Sequence, residues 1–106
     1  MDFDDYQLIA HRTAEYPVDK GLEYLGLKLA SEAGEVSGKI GKYIRGDYDL
    51  NALIEKLIPE IGDVLWYLTE LSTHIDVRLM HVAVENTKKL ESRKKRGRIK
   101  GDGDSR

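Results

Sequence analysis

Residues 22–45 read LEYLGLKLASEAGEVSGKIGKYIR, and this stretch decides the fold class. Leu22, Leu25, Leu29, Val36, Ile40, Tyr43 and Ile44 recur at a helical period, with no alternation of the kind a strand needs. Gly46 follows where a left-handed residue ends a helix, so the spacing predicts one long helix from Leu22 to Arg45. Upstream, a first helix is expected from Asp4 or Asp5 to Ala14, its early acids suiting the helix dipole. Residues 16–21, YPVDKG, read as a connection. Downstream, Asp49 or Asn51 can cap a third helix carrying Ile61, Val64, Leu65, Leu68, Leu71 and Ile75. Pro59 is expected to kink that helix or to divide it into a short and a longer piece. Asp76 is expected to open a fourth, with Leu79, Val82, Ala83 and Leu90. The pattern is all-α, a bundle of four main helices.

The same long stretch carries Glu32-Ala33-Gly34-Glu35, and the third helix carries Glu60-Ile61-Gly62-Asp63. Each acidic pair is spaced i, i+3, which puts both carboxylates on one helical face. If the two helices pack side by side, four carboxylates converge, and a divalent cation is the usual remedy for their repulsion. Hard oxygen donors point to Mg²⁺ or Mn²⁺. The bland alternative is a solvated face, since Lys28, Glu32, Glu35, Lys39 and Lys42 form a continuous polar stripe. Against it, the second pair runs straight into Val64-Leu65-Trp66-Tyr67-Leu68, a sequence expected to be largely buried, where acids without a counter-ion are costly. Glycine inside a helix costs about 1 kcal/mol relative to alanine. The many small residues of the second helix therefore suggest that another helix or a ligand approaches closely, with Gly34 and Gly62 letting the acids share ions. A di-iron bundle would need Glu-x-x-His. The positions three before His11, His74 and His81 hold Leu8, Leu71 and Arg78, so the histidines read as surface or packing residues.

Size and charge narrow the remaining classes. A chain of 106 residues is one domain. It has no cysteine, which excludes disulfides and thiolate metal sites. No apolar run reaches membrane-span length and the acidic start is unlike a signal peptide, so a cytoplasmic protein is expected. Residues 1–92 hold 10 basic against 17 acidic residues, whereas residues 93–106 hold 7 against 2. We therefore divide the chain into a helical domain, 1–92, and a basic, glycine-containing tail, 93–106. The tail has no aromatic residue for stacking on bases, and the acidic body would repel a phosphate backbone, which argues against nucleic acid.

Glu32-Ala-Gly-Glu35-Val36, followed by Glu60-Ile-Gly-Asp63-Val64-Leu65-Trp66-Tyr67, resembles the two signature blocks of the MazG-like, all-α nucleoside triphosphate pyrophosphohydrolases. Asn86-Thr87-Lys88-Lys89-Leu90 looks like a third block on the last helix. Tyr6-Gln7 through Arg12-Thr13-Ala14 and the tail residues Gly101-Asp102-Gly103-Asp104 are similar to the ends of small members. The resemblance implies Mg²⁺-dependent hydrolysis of a nucleoside triphosphate to the monophosphate and pyrophosphate. Carried over by position, Glu32, Glu35, Glu60 and Asp63 would be metal ligands. Glu35 is the first candidate to orient or deprotonate the attacking water. Lys39, Tyr67, Asn86, Lys89, Arg93, Lys94 and Arg96 are candidates for substrate contact. Lys39 has a salt bridge to Glu35 as its alternative, and Trp66 reads as core or subunit interface. A homodimer or a tetramer of paired dimers is expected, both from the family and from apolar surface beyond what one small protomer can bury. The competing readings are a phosphoribosyl-ATP pyrophosphohydrolase and a non-enzymatic helical dimer that binds nucleic acid through the tail.

Overall fold

The computed structural model describes all 106 residues and contains four α-helices and no strand. They are α1 (Phe3–His11), α2 (Gly21–Ile44), α3 (Leu50–His74) and α4 (Leu79–Lys95), with a 3₁₀ turn (Val18–Lys20) leading into α2. Helix α1 opens with a capping box. The Asp2 side chain accepts from the Asp5 backbone N–H at 2.8 Å, and Asp5 returns the bond to Asp2 at 3.1 Å. The helix ends at His11, three residues before the expected Ala14.

Helices α2 and α3 form an antiparallel hairpin that packs along much of its length. The turn between them follows from Gly46, whose φ of 90° only glycine adopts without strain. Gly46 N–H donates to the Tyr43 carbonyl and Asp47 N–H to that of Lys42, which satisfies the carbonyls at the end of α2. Asp49 then caps α3, accepting from Ala52 N–H at 2.9 Å. Of the two outcomes expected at Pro59, the division into a short and a longer helix is not found, and α3 runs through it as one helix. A mid-helix proline removes one hydrogen bond and costs on the order of 3 kcal/mol; the packing of α2 along the same helix offsets it.

The start of α4 also departs from expectation. Asp76 adopts a positive φ of 58° and belongs to the turn, not to the helix. Its expected capping role passes to Gln7 of α1, whose side-chain oxygen accepts from Leu79 N–H at 2.8 Å while its amide donates to the Val77 carbonyl and to Thr73 Oγ1. Arg78 adds a two-pronged pair to Asp4, which holds the Asp4 carboxyl below its usual range. Helix α4 thus rests on α1 and α3 and does not touch α2. It ends at Lys95, so the boundary drawn at 92/93 falls in its last turn.

The protomer is open. Its radius of gyration is 16.5 Å, against about 13 Å for a compact chain of this length. The buried apolar residues are Ala10, Leu25, Leu53 and Leu79, while Ile40, Ile44, Ile54, Ile58, Ile61 and Leu68 are exposed along α2 and α3. The expected close approach at the helical glycines is not found within the protomer. A Cβ built at Gly26, Gly34, Gly38, Gly41 or Gly62 meets nothing within 4 Å. Only Gly21 among the α2 glycines is crowded, by the His74 ring.

Candidate metal and nucleotide site

The pairing of α2 with α3 brings Glu32, Glu60 and Asp63 together. One carboxylate oxygen from each lies within 4.8 Å of the others. Glu32 and Glu60 are half-buried and Asp63 is exposed. Lys28 Nζ stands 3.4 Å from Glu32, one turn earlier on α2, and Lys39 Nζ stands 3.6 Å from Glu60 across the helix pair. Asp63 has no basic partner at ion-pair distance. The donor set fits a hard divalent cation: three carboxylates, no nitrogen or sulfur, and only two ammonium partners, which leave one negative charge uncompensated.

Glu35 is exposed and stands outside this group. Lys39 does not pair with Glu35; its partner is Glu60 on the facing helix. Asn86, Lys89, Arg93, Lys94 and Arg96 lie on or just past α4, and none of them is in the carboxylate cluster or lines the cavity beside it. Lys89 Nζ instead contacts Asp104 Oδ1 at 2.7 Å, and Arg93 contacts the same oxygen at 3.1 Å. These cations hold the Asp104 carboxyl below its ordinary range, Lys89 most strongly. Arg93 is buried, and its Nε has no partner. Arg96 reaches Ser92 and the carbonyl of Arg106, and Lys94 is exposed.

Beside the acids is a cavity of about 340 Å³ lined by Thr13, Glu32, Asp63, Trp66 and Tyr67. Tyr67 was expected there; Trp66, read as core or interface, and Thr13 were not. The Tyr67 ring meets Trp66 edge-on at 4.9 Å and tilts against Tyr24 at 6.4 Å, with Lys28 Nζ 5.7 Å from its centre. Burial first, then the Tyr24 hydroxyl and the negative charges of Glu32 and Asp63, pushes the Tyr67 phenol up to about 12.

A further acid, Glu70, is fully buried two turns beyond Asp63. Its Oε2 accepts from Tyr16 O–H at 3.3 Å and faces His11 Nδ1 at 3.1 Å, while Oε1 has no partner. Burial, and then Glu70, raises the Tyr16 phenol. Nothing in the spacing of the acidic pairs marks Glu70 out. The signal available was its place i+7 from Asp63, on the same face of an otherwise apolar helix.

The description of the MazG nucleotide pyrophosphohydrolase domain matches residues 20–97. The chain belongs to the MazG family. The matched segment contains both acidic pairs and the whole of the α2–α3 hairpin. Over 117 aligned positions the chain is also 40% identical to the Gene 37 protein of Mycobacterium phage L5, and the alignment covers all of both chains. No solved structure matches the chain. As a MazG domain the protein is consistent with a nucleotide substrate, and no helix is long and apolar enough to cross a membrane.

Proposed function

We propose that the protein is a Mg²⁺-dependent nucleoside triphosphate pyrophosphohydrolase that converts a ribo- or deoxyribonucleoside triphosphate to the monophosphate and pyrophosphate. The convergence of Glu32, Glu60 and Asp63 beside a cavity with aromatic walls carries this reading. These three carboxylates would hold the cation, with Mn²⁺ as a substitute. A bound ion would supply positive charge for a triphosphate and for its pyrophosphate leaving group. Glu35, one turn past Glu32 and open to solvent, is proposed to orient the attacking water and take its proton. Lys39 is proposed to exchange its 3.6 Å contact with Glu60 for a phosphate oxygen.

Asn86, Lys89, Arg93, Lys94 and Arg96 are proposed to act on a nucleotide from α4. Because none of them lines the cavity beside the acids within one chain, this reading has a second copy bring them to the nucleotide. The exposed apolar faces of α2 and α3 and the open form of the protomer support a homodimer or a tetramer.

The direct test is product analysis with a panel of triphosphates and Mg²⁺. Pyrophosphate and the monophosphate are expected in equal amounts. Release of single orthophosphates would overturn the cleavage site, and activity indifferent to chelation would overturn the metal. Sedimentation of the active protein as a monomer would overturn the assembly.

A further inference from the structure

Thr13 lies outside both acidic blocks and outside the matched family segment, yet its side chain lines the cavity next to Glu32 and Asp63. Its hydroxyl donates to the Ala10 carbonyl at 2.8 Å and accepts from Trp66 Nε1 at 2.9 Å. A hydroxyl has one proton and two lone pairs, so one lone pair remains and no donor does. Thr13 therefore presents an acceptor, and only an acceptor, to whatever enters the cavity.

The position of this oxygen is held from both sides. Trp66 Nε1 also donates to the Ala10 carbonyl at 3.2 Å, which ties the end of α1 to α3. His11 and Tyr16, which bracket Thr13 in the chain, both meet the buried carboxylate of Glu70. A hydroxyl anchored in this way loses little freedom on binding a ligand, which favours recognition.

Resting on the function proposed above, we infer that Thr13 is a specificity-determining residue that accepts a hydrogen bond from the 3′-hydroxyl of the nucleotide sugar. In a nucleotide gripped by its phosphates at Glu32, Glu60 and Asp63, the sugar is the part attached to the phosphate chain. The open cavity lined by two of those acids, Glu32 and Asp63, together with two aromatic rings, adjoins the phosphate end and offers the sugar a place. Ribose and deoxyribose both carry a 3′-hydroxyl. Trp66 and Tyr67 supply the apolar wall that the remainder of the nucleoside needs.

Calorimetry with Mg²⁺ and non-hydrolysable α,β-imido deoxynucleoside triphosphates tests this, using analogues with and without the 3′-hydroxyl. The full-length protein should bind the hydroxyl-bearing analogue about three- to tenfold more tightly, the range for one hydrogen bond in an open cavity. Thr13→Val should bring that ratio close to one, and Thr13→Ser should restore it; Trp66 keeps its bond to Ala10 in either variant. A ratio of one in the unaltered protein overturns the inference without any variant. So does a ratio that survives Thr13→Val, or a Thr13 effect that follows base amino groups and not the 3′-hydroxyl. Selective binding without pyrophosphate release would uphold Thr13 while overturning the proposed reaction. Absence of any binding would overturn both.

Discussion

Asp63→Asn should make the metal-free protein more stable and the enzyme inactive. Asp63 faces two other carboxylates within 4.8 Å, and unlike Glu32 and Glu60 it has no lysine partner to lose. Two unit charges at that separation repel by about 0.9 kcal/mol in water, so Asp63 meets roughly 1.7 kcal/mol of repulsion before the opposing attraction of Lys28 and Lys39, which pair with the same two acids, is subtracted. The two lysines and screening at physiological salt leave at most about 1 kcal/mol. For a domain of this size that corresponds to a rise in Tm of at most about 4–8 °C in the presence of chelator. With Mg²⁺ the order should reverse. The unaltered protein gains about 2.7 kcal/mol at a hundredfold excess over Kd, and the variant gains little because it has lost a ligand. Thermal melts of both proteins, with chelator and across a Mg²⁺ series, would show the two stability curves crossing. If the variant melts at or below the unaltered protein without metal, the acids do not repel as their proximity demands. If Mg²⁺ stabilises both proteins equally, Asp63 is not a ligand.

Three further outcomes follow from packing and titration. Gly21→Ala places a Cβ 2.3 Å from the His74 ring, and denaturant unfolding should show a loss of about 1–3 kcal/mol. Leu25 is fully buried between helices, so Leu25→Ala should cost about 2–5 kcal/mol in the same measurement. Tyr67 is held neutral in the folded state up to about 12, against about 10 when unfolded. Its contribution to stability is therefore complete below pH 10 and lost as pH rises from about 10 through 12. Phenolate absorbance should show a late titration step that Tyr67→Phe removes.

The helices were legible because α2 and α3 each repeat apolar residues at one period, and because Gly46 and Asp49 bound the turn with residues whose local chemistry has few alternatives. What escaped was set by contacts distant in sequence. Asp76 has the composition of a helix cap, but Gln7, seventy-two residues before Leu79, takes that role. Pro59 is a strong local breaker, and α3 continues through it because a partner helix lies alongside. The glycines of α2 suggested close approach, and the protomer leaves most of them open. The open face this leaves on α2 is where the proposed second copy would pack.

The site was legible in its chemistry and less so in its geometry. An i, i+3 pair puts two side chains on one face, about 60° apart around the axis, and where the partner helix crosses decides which of them meets it. On α3 both Glu60 and Asp63 fall within reach of α2, whereas on α2 only Glu32 turns toward α3. Four acids that looked equivalent thus separate into three that can hold a cation and one that faces water. This asymmetry favours dividing the labour. On the proposed function the clustered carboxylates would hold the ion, and Glu35, one turn past Glu32 and outside the cluster, would be left to take the proton of the attacking water. Glu35→Gln should therefore abolish turnover while leaving Mg²⁺ affinity within about threefold of the unaltered protein. A parallel loss of both would place Glu35 among the ligands instead.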